Sequence, residues 1–176
     1  MASLNTLLFQ LLAEAQHQFG PRDPSYQIAV ETVSDDQTAP QTFLVGPRQI
    51  LIRVHSESKT NEACALREIG HEVIHCLAPD LDFTTVLEEG TAAMFALDCA
   101  ASRGHLRFSP KPPDPYWRPE WLVRQLLQQN DNAIKAIRSI EPNLSLVTVD
   151  LIQQVCPRFR FAKELTEGVL KFTGSP

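Results

Sequence analysis

The chain has 176 residues, enough for one domain with a sizeable hydrophobic core, and its formal net charge is −5. This mildly acidic balance, with lysine and arginine scattered along the chain, argues against a surface dedicated to nucleic acid. The four cysteines are widely spaced and form no Cys-x-x-Cys pair, which excludes a disulfide framework and a cysteine-based zinc site. They indicate buried thiols in a reducing compartment. We therefore expect a single domain spanning residues 1–176.

The first predicted element is an amphipathic helix over about residues 3–19, ended by Gly20 and Pro21. The segment lacks a basic leading region, and polar residues interrupt it throughout, so it predicts neither a signal peptide nor a membrane span. Its polar face also lacks the basic residues that membrane-surface binding needs. We expect a cytoplasmic protein with no membrane partner, although signal-independent export would leave no trace in the sequence. The apolar stripe consists of Leu4, Leu7, Leu8, Leu11, Leu12 and Ala15.

Three strands are predicted next. Residues 26–33 alternate between β-branched and polar side chains, and residues 42–45 and 49–54 form two further strands joined by a turn at Gly46 and Pro47. These strands predict a small, mostly antiparallel sheet with the following helix packed on one face. An edge strand beside a cleft is a natural place to bind an extended peptide by strand addition.

The most informative motif is His71-Glu72-Val73-Ile74-His75, one copy of His-Glu-x-x-His inside a helix predicted over residues 60–78. Residues four apart lie on the same face of a helix, so His71 and His75 can bind one metal ion. Glu72 follows the first of them, where its carboxylate can reach a metal-bound water. Two neutral nitrogen ligands, an open coordination position and a base are the parts that zinc-activated hydrolysis requires. The alternative is a surface helix with two solvated histidines.

A second helix is predicted over residues 85–102, capped by Thr84 or Thr85, and it begins with the adjacent acids Glu88 and Glu89. Neighbouring residues lie on different helix faces, so at most one of these carboxylates can point at the metal. Acidic residues in a first turn also stabilise a helix through its dipole alone.

Together the two motifs resemble the gluzincin metallopeptidases, in which His-Glu-x-x-His is followed by a glutamate ligand on the next helix. The stretch Glu88-Glu89-Gly90-Thr91-Ala92 is similar to the Glu-Glu-Gly-x-Ala form of that second motif. The resemblance covers about residues 50–97, and its short gap looks more like compact members such as the ImmA/IrrE-like and SprT-like groups. It implies an α+β fold of minimal zincin-like kind. It also implies Glu89 as the third ligand, with Glu88 exposed or supporting a ligand, and the short gap leaves the choice between the two open.

This ligand set of His71, His75 and Glu89 implies one Zn²⁺ per chain and hydrolysis of peptide bonds by a metal-activated water. Glu72 would be the general base that takes the water's proton and passes it to the leaving amine. We expect an endopeptidase acting on a protein or peptide, since nothing indicates a site for a free terminus. Metallopeptidases usually add a donor for the developing oxyanion. The candidates here are His105, Tyr116 and Tyr26.

Three other functions fit the sequence less well. The main rival is a catalytically idle zinc-binding module that binds a partner protein through the same cleft. A second is an interaction protein in which the motif is accidental, and a third is a zinc hydrolase whose substrate is not a peptide, because the ligand set alone does not fix the electrophile.

The last third of the chain is predicted to be helical. Residues 109–119 contain five prolines and predict a rigid connector, the alternatives being a polyproline segment that binds a partner and a loop bordering the cleft. Helices are predicted over residues 120–140, 148–155 and 161–172. This helical C-terminal part, residues 120–172, either buttresses the core or forms a lid over the substrate.

Overall fold

A computed structural model of the chain describes residues 3–34, 39–79, 83–105 and 110–169, and these ranges have the predicted α+β architecture. None of the helices in these ranges is long and apolar enough to cross a membrane. The helices are Leu4–Phe19 (α1), Glu62–His75 (α2), Val86–Ser102 (α3), Trp117–Gln129 (α4), Ala133–Arg138 (α5), Val149–Val155 (α6) and Ala162–Leu165 (α7). The strands are Gln27–Val33 (β1), Gln41–Gly46 (β2), Gln49–His55 (β3), Thr84–Thr85 (β4) and Gly168–Val169 (β5). Two 3-10 turns cover Ser56–Lys59 and Leu144–Leu146.

The three predicted strands form one sheet in the order β1-β3-β2. β3 pairs antiparallel with β2 and parallel with β1, so the sheet is mixed and the prediction of a mostly antiparallel sheet was wrong. β3 takes the central position because its alternate residues, Ile50, Ile52 and Val54, are the ones buried under the helices. An alternating pattern identifies the strands but does not determine which of them lies in the middle or in which direction its neighbour runs.

The core lies between the inner face of the sheet and three helices, with α2 in contact with α1, α3 and β3. α2 and α3 approach closely where Gly70 faces Ala96, since a Cβ added to Gly70 would lie 3.1 Å from the Ala96 Cα. This close contact brings the beginning of α3 alongside the end of α2. The fold therefore places the two sequence motifs next to each other.

The C-terminal third differs most from the sequence-based prediction. The predicted helix over residues 120–140 is two helices, because the Asn130 side chain accepts a hydrogen bond from the Asn132 backbone N–H at 3.1 Å and competes with the helical pattern. α4 also begins earlier, at Trp117, and tolerates Pro119 in its first turn. The predicted last helix ends at Leu165, and β5 follows it and pairs with β4. Residue 109 and residues 170–172 of those predicted segments lie outside the described ranges.

One buried arginine fastens the C-terminal third to the rest of the molecule. The guanidinium of Arg138, at the end of α5, donates hydrogen bonds to five backbone carbonyls. Carbonyls at the end of a helix lack partners within the helix, so a buried cation satisfies them. The contact therefore holds the helical C-terminal part against the end of α1 and the segment after α2. The five carbonyls belong to Phe19, Gly20, Pro21, Leu77 and Pro142.

Candidate metal centre

The two histidines of the motif project from the last two turns of α2. Asn61 caps the helix, its side chain accepting a hydrogen bond from the Cys64 N–H at 3.2 Å, as the predicted helix start requires. The i, i+4 spacing then stacks the rings of His71 and His75, whose centroids are 5.1 Å apart. Both side chains are largely buried. Two imidazoles are thus presented side by side at the C-terminal end of a buried helix.

The opposing carboxylate comes from the first turn of α3. Thr85 caps this helix by accepting a hydrogen bond from the Glu88 N–H at 3.4 Å. Gly90 lets α4 pack directly on the turn, since a Cβ there would lie 2.3 Å from the Pro119 carbonyl oxygen. Glu89 is thereby held with one oxygen 3.3 Å from His71 Nε2 and the other 3.8 Å from His75 Nε2.

The three side chains lie close enough together to bind one metal ion. Two ligand atoms bound tetrahedrally at about 2.1 Å from an ion lie roughly 3.4 Å apart. One Glu89 oxygen lies 3.3 Å from His71 Nε2 and the other lies 3.8 Å from His75 Nε2, and one ligand atom from each of the three side chains lies within 4.8 Å of the other two. Two imidazole nitrogens and one carboxylate also form a ligand set typical of catalytic zinc. His71, His75 and Glu89 are therefore close enough to hold one metal ion, and their chemistry suits zinc.

Glu88 turns away from this cluster and supports one of its rings. It is buried, and its Oε1 lies 2.7 Å from Nδ1 of His75. Its Oε2 accepts a hydrogen bond from the Ser145 hydroxyl, which the 3-10 turn Leu144–Leu146 supplies. Because Nδ1 of His75 faces the Glu88 carboxylate, Nε2 is the ring atom that is left to bind a metal ion.

The charges in the cluster shift two pKa values in opposite directions. Burial lowers the pKa of His75, but the hydrogen bond with Glu88 and the negative charges of Glu88, Glu89 and Glu72 outweigh it and raise the pKa to about 10. Burial raises the pKa of Glu89, but the hydrogen bond with His71 and the charges of the two histidines outweigh it and lower the pKa to about 2. Carboxylates thus surround the His75 ring, and this excess of negative charge favours a cation between the rings and Glu89.

Glu72 lies beside the three candidate metal ligands and is not one of them. Its side chain is buried, and its Oε2 accepts a hydrogen bond from the Thr42 hydroxyl at 2.7 Å. Thr42 lies on β2, an edge of the three-stranded sheet, so this contact connects α2 to the sheet edge. The hydrogen bond therefore fixes the position of the Glu72 carboxylate through one of its oxygens.

Of the three candidate oxyanion donors, the structure brings Tyr116 to the cluster. Its ring meets the His71 ring edge to face, with centroids 5.2 Å apart. Burial and the charges of Glu89, Glu72 and Asp114 raise the pKa of Tyr116 to about 12, so its hydroxyl stays protonated and can donate a hydrogen bond at neutral pH.

The other two candidates lie elsewhere. Tyr26 lines a separate groove beside Arg22 and Pro21. His105 lies 3.5 Å from the Glu62 carboxylate, and Glu62 is the first residue of α2 and nine positions before His71. Neither residue is among those that line the cavity at the histidine cluster.

A cavity of about 340 Å³ opens at the cluster, with His71, Glu72 and Tyr116 in its wall. Small and apolar residues of α3, one to two turns after Glu89, form another part of it: Ala93, Ala96 and Leu97. The proline-rich segment contributes Pro110 and Asp114. The segment that was predicted as a rigid connector thus also borders the cleft, which was one of its alternatives.

One polar pair in this cavity was not predicted from the sequence. His55, the last residue of β3, and Glu68 of α2 both line it, with His55 Nδ1 2.6 Å from Glu68 Oε1. Glu68 falls on the same face of α2 as His71, and a histidine closing the strand before the motif helix was the available signal. That signal is weak, because no sequence spacing relates residue 55 to residue 68.

Comparison of the chain with protein-family models, with curated proteins and with solved structures gives no match.

Proposed function

We propose that this protein is a zinc-dependent metallopeptidase of gluzincin type, with a minimal zincin-like core and one zinc ion per chain. The observation that carries the proposal is the convergence of one ligand atom from each of two histidines and one glutamate, all within 4.8 Å of one another, in a combination typical of catalytic zinc. His71, His75 and Glu89 would hold the metal. When bound, zinc lowers the pKa of a water molecule and polarises the scissile carbonyl.

Glu72 is the general base in this proposal. It lies one residue after a metal-binding histidine, and the Thr42 hydrogen bond keeps its carboxylate in place. The carboxylate takes the proton of the attacking water and delivers it to the amine that leaves. Thr42 therefore acts as a positioning residue, and the edge strand on which it lies is part of the site.

Tyr116 is the donor that stabilises the developing oxyanion. Its ring contacts a metal-binding histidine, and its hydroxyl remains protonated at neutral pH. A donor of this kind is worth several kcal/mol in reactions that pass through a tetrahedral intermediate. Its presence beside the cluster supports catalysis over the rival of an idle zinc-binding module, which has no need of a donor there.

The form of the cleft supports a peptide substrate. β2 is an edge of the three-stranded sheet, and Thr42 on that strand contacts the catalytic Glu72. An extended peptide that added to this edge would place its backbone next to Glu72. This arrangement favours an endopeptidase, which binds the chain on both sides of the bond it hydrolyses. The four cysteines are buried free thiols, which supports the expectation of a reducing, cytoplasmic setting.

The first test is metal content. Protein purified without added metal should contain about one zinc per chain, and His71→Ala and Glu89→Ala should lose it. Glu88→Ala is the matched control, because it removes the adjacent carboxylate that contacts a ring without taking part in the donor cluster. Zinc should still saturate that variant at a raised concentration. Wild-type protein that takes up no zinc even after reconstitution would refute the proposal.

The second test is hydrolysis of a mixture of unstructured proteins, followed by mass spectrometry of the new termini. Glu72→Gln should retain its zinc and lose activity, because the amide cannot accept the proton. Tyr116→Phe should lower kcat by about a hundredfold or more with little change in zinc content. A zinc-loaded wild-type protein that cleaves nothing would favour the idle module.

A further inference from the structure

The cavity beside the metal centre extends along α2 toward the start of the helix. His71 and Glu72 border it near the metal, while Glu68 borders it one turn earlier, next to His55 at the end of β3. A substrate residue adjacent to the scissile bond would enter this space.

Much of the cavity wall is apolar. Ala39, Pro40, Ala93, Ala96 and Leu97 offer no side-chain hydrogen bond to a ligand. A peptide that leaves water to occupy the cavity must still have its polar groups paired, since an unsatisfied buried donor or acceptor costs about 1–3 kcal/mol. His55 is one of the polar side chains in the wall, with Arg67 and Asp114 among the others, and it is the one that a neighbouring carboxylate holds through both its ring and its main chain.

The imidazole of His55 is held in a fixed orientation by Glu68. The Glu68 Oε1 atom lies 2.6 Å from His55 Nδ1, and Oε2 accepts a hydrogen bond from the His55 backbone N–H at 3.0 Å. The Glu68 carboxylate therefore contacts both the ring and the main chain of His55. This is the form of contact that sets the tautomer and direction of a functional histidine.

Glu68 is itself fixed from the other side. Its Oε2 accepts a hydrogen bond from the buried Ser58 hydroxyl at 2.7 Å, and its Oε1 accepts one from the Cys64 thiol at 3.3 Å. The same series of contacts orients the metal-binding His75, whose Nδ1 contacts Glu88, which in turn is bound by Ser145. The cavity wall thus repeats an arrangement that, at the metal centre, aims an imidazole at its ligand.

We propose that His55 is a substrate-binding residue, which hydrogen-bonds the peptide residue lodged in the cavity beside the scissile bond, and that Glu68 is its positioning residue. The inference rests on the proposed function, because it assigns the substrate of the same site. It adds a contact that neither the ligand set nor the general base supplies.

The test compares two hydroxamates on zinc-loaded protein. Acetohydroxamate reaches the metal alone, whereas a blocked dipeptide hydroxamate also fills the cavity. His55→Phe should lower the affinity for the dipeptide hydroxamate about tenfold to a hundredfold, as expected for one lost hydrogen bond. The affinity for acetohydroxamate should stay unchanged. In the hydrolysis assay the same variant should lower kcat/KM by a similar factor and keep its zinc.

His105→Phe is the matched control, because it removes the imidazole of another histidine–glutamate pair that lies outside the cavity. It should change neither affinity. Should His55→Phe fold poorly, His55→Gln keeps a hydrogen-bonding group of similar reach and should show a smaller loss in the same direction.

The outcomes separate the two proposals. Equal affinity of wild type and His55→Phe for the dipeptide hydroxamate, with zinc bound, overturns the role of His55 and leaves the metallopeptidase intact. An equal loss for both hydroxamates also overturns it, because the effect then acts through the metal. Wild-type protein that binds no zinc refutes the proposed function, and the role of His55 with it.

Discussion

Two histidine–glutamate–serine chains lie along α2, and they differ in how they are assembled. In the first, His75 of α2 contacts Glu88 of α3, which Ser145 of the C-terminal third holds. In the second, Glu68 of α2 holds His55 of β3 and is itself held by Ser58. The two Nδ1-to-carboxylate distances, 2.7 Å and 2.6 Å, are nearly the same.

What differs is the length of chain that each arrangement spans. Ser58, His55 and Glu68 lie within fourteen consecutive positions, so folding of one strand, one turn and one helix completes the cavity pair. The pair of His75 and Glu88 is complete only when Ser145, 57 positions after Glu88 in the sequence, has packed against it. The helical C-terminal part therefore contacts the candidate metal centre through Ser145, and we expect its docking and metal binding to be linked.

The largest expected effect comes from removing the carboxylate in the middle of the His75–Glu88–Ser145 series. Glu88→Ala leaves the Nδ1 of a buried histidine without its carboxylate, and we expect a loss of about 3–5 kcal/mol in the free energy of unfolding. Zinc affinity should fall about tenfold to a hundredfold, because the ring that supplies a ligand is no longer oriented. Zinc titration with a competing chelator and urea unfolding measure the two quantities.

The isosteric variant Glu88→Gln keeps an acceptor for the His75 ring. It should therefore lose less stability and less zinc affinity than Glu88→Ala. Unchanged zinc affinity in Glu88→Ala would show that the contact is only structural.

The two serines provide a matched comparison of intermediate size. Ser145→Ala and Ser58→Ala each remove one hydroxyl donor from a buried carboxylate, and each should cost about 1 kcal/mol of stability. Only Ser145→Ala should also weaken zinc binding, since the carboxylate that Ser145 contacts supports a proposed metal ligand, His75. Ser58→Ala should instead weaken the binding of the dipeptide hydroxamate. If both variants changed zinc affinity and hydroxamate affinity by the same factors, the two histidine–glutamate–serine series would not differ in function.

A smaller effect is expected in the acid limb of the stability curve. Burial raises the pKa of Glu68, but hydrogen bonds from His55, Ser58 and Cys64 outweigh it and hold the pKa below its ordinary value of 4.5. A carboxyl whose pKa falls on folding stabilises the protein above the unfolded-state pKa, and this contribution is lost as pH falls through the folded-state pKa. Stability should thus decline as pH drops below about 4.5.

Glu68→Gln tests this contribution in chelator-treated protein. The variant should be less stable than the wild type at pH 7, and the difference should shrink below pH 4.5 because the wild type then loses the charged form as well. Urea unfolding at pH 7 and pH 3 gives the comparison. A difference that is constant between the two pH values would indicate that the charge of Glu68 contributes nothing.

The sequence predicted the parts of this arrangement that depend on local spacing. Helical periodicity and capping residues located α1, α2 and α3 to within a few residues. The i, i+4 rule placed His71 and His75 on one face, as the structure has them. Elements that depend on contacts distant in sequence were predicted less well. The parallel pairing of β1 with β3, the short β4–β5 pair and the break between α4 and α5 were all missed.

The same division applies to the site. That Glu88 and Glu89 must face different ways follows from the helix, but which of them faces the histidines depends on how α3 packs on α2 and α4. Gly90 decides that packing through a contact with Pro119, 29 positions later. The roles of Ser145 and His55 likewise arise from tertiary neighbours, which no periodicity reveals.

The smallest expected effect belongs to a third histidine–glutamate pair, which lacks the support that the other two share. His105 and Glu62 are 3.5 Å apart near the start of α2, and the Glu62 side chain is half exposed. Water and salt screen such a pair, so His105→Ala should change stability by no more than about 0.5 kcal/mol. Its zinc content and hydroxamate affinities should match those of the wild type. If this variant weakened zinc binding as much as Glu88→Ala, burial and the serine contact could not be what distinguishes the two supported pairs.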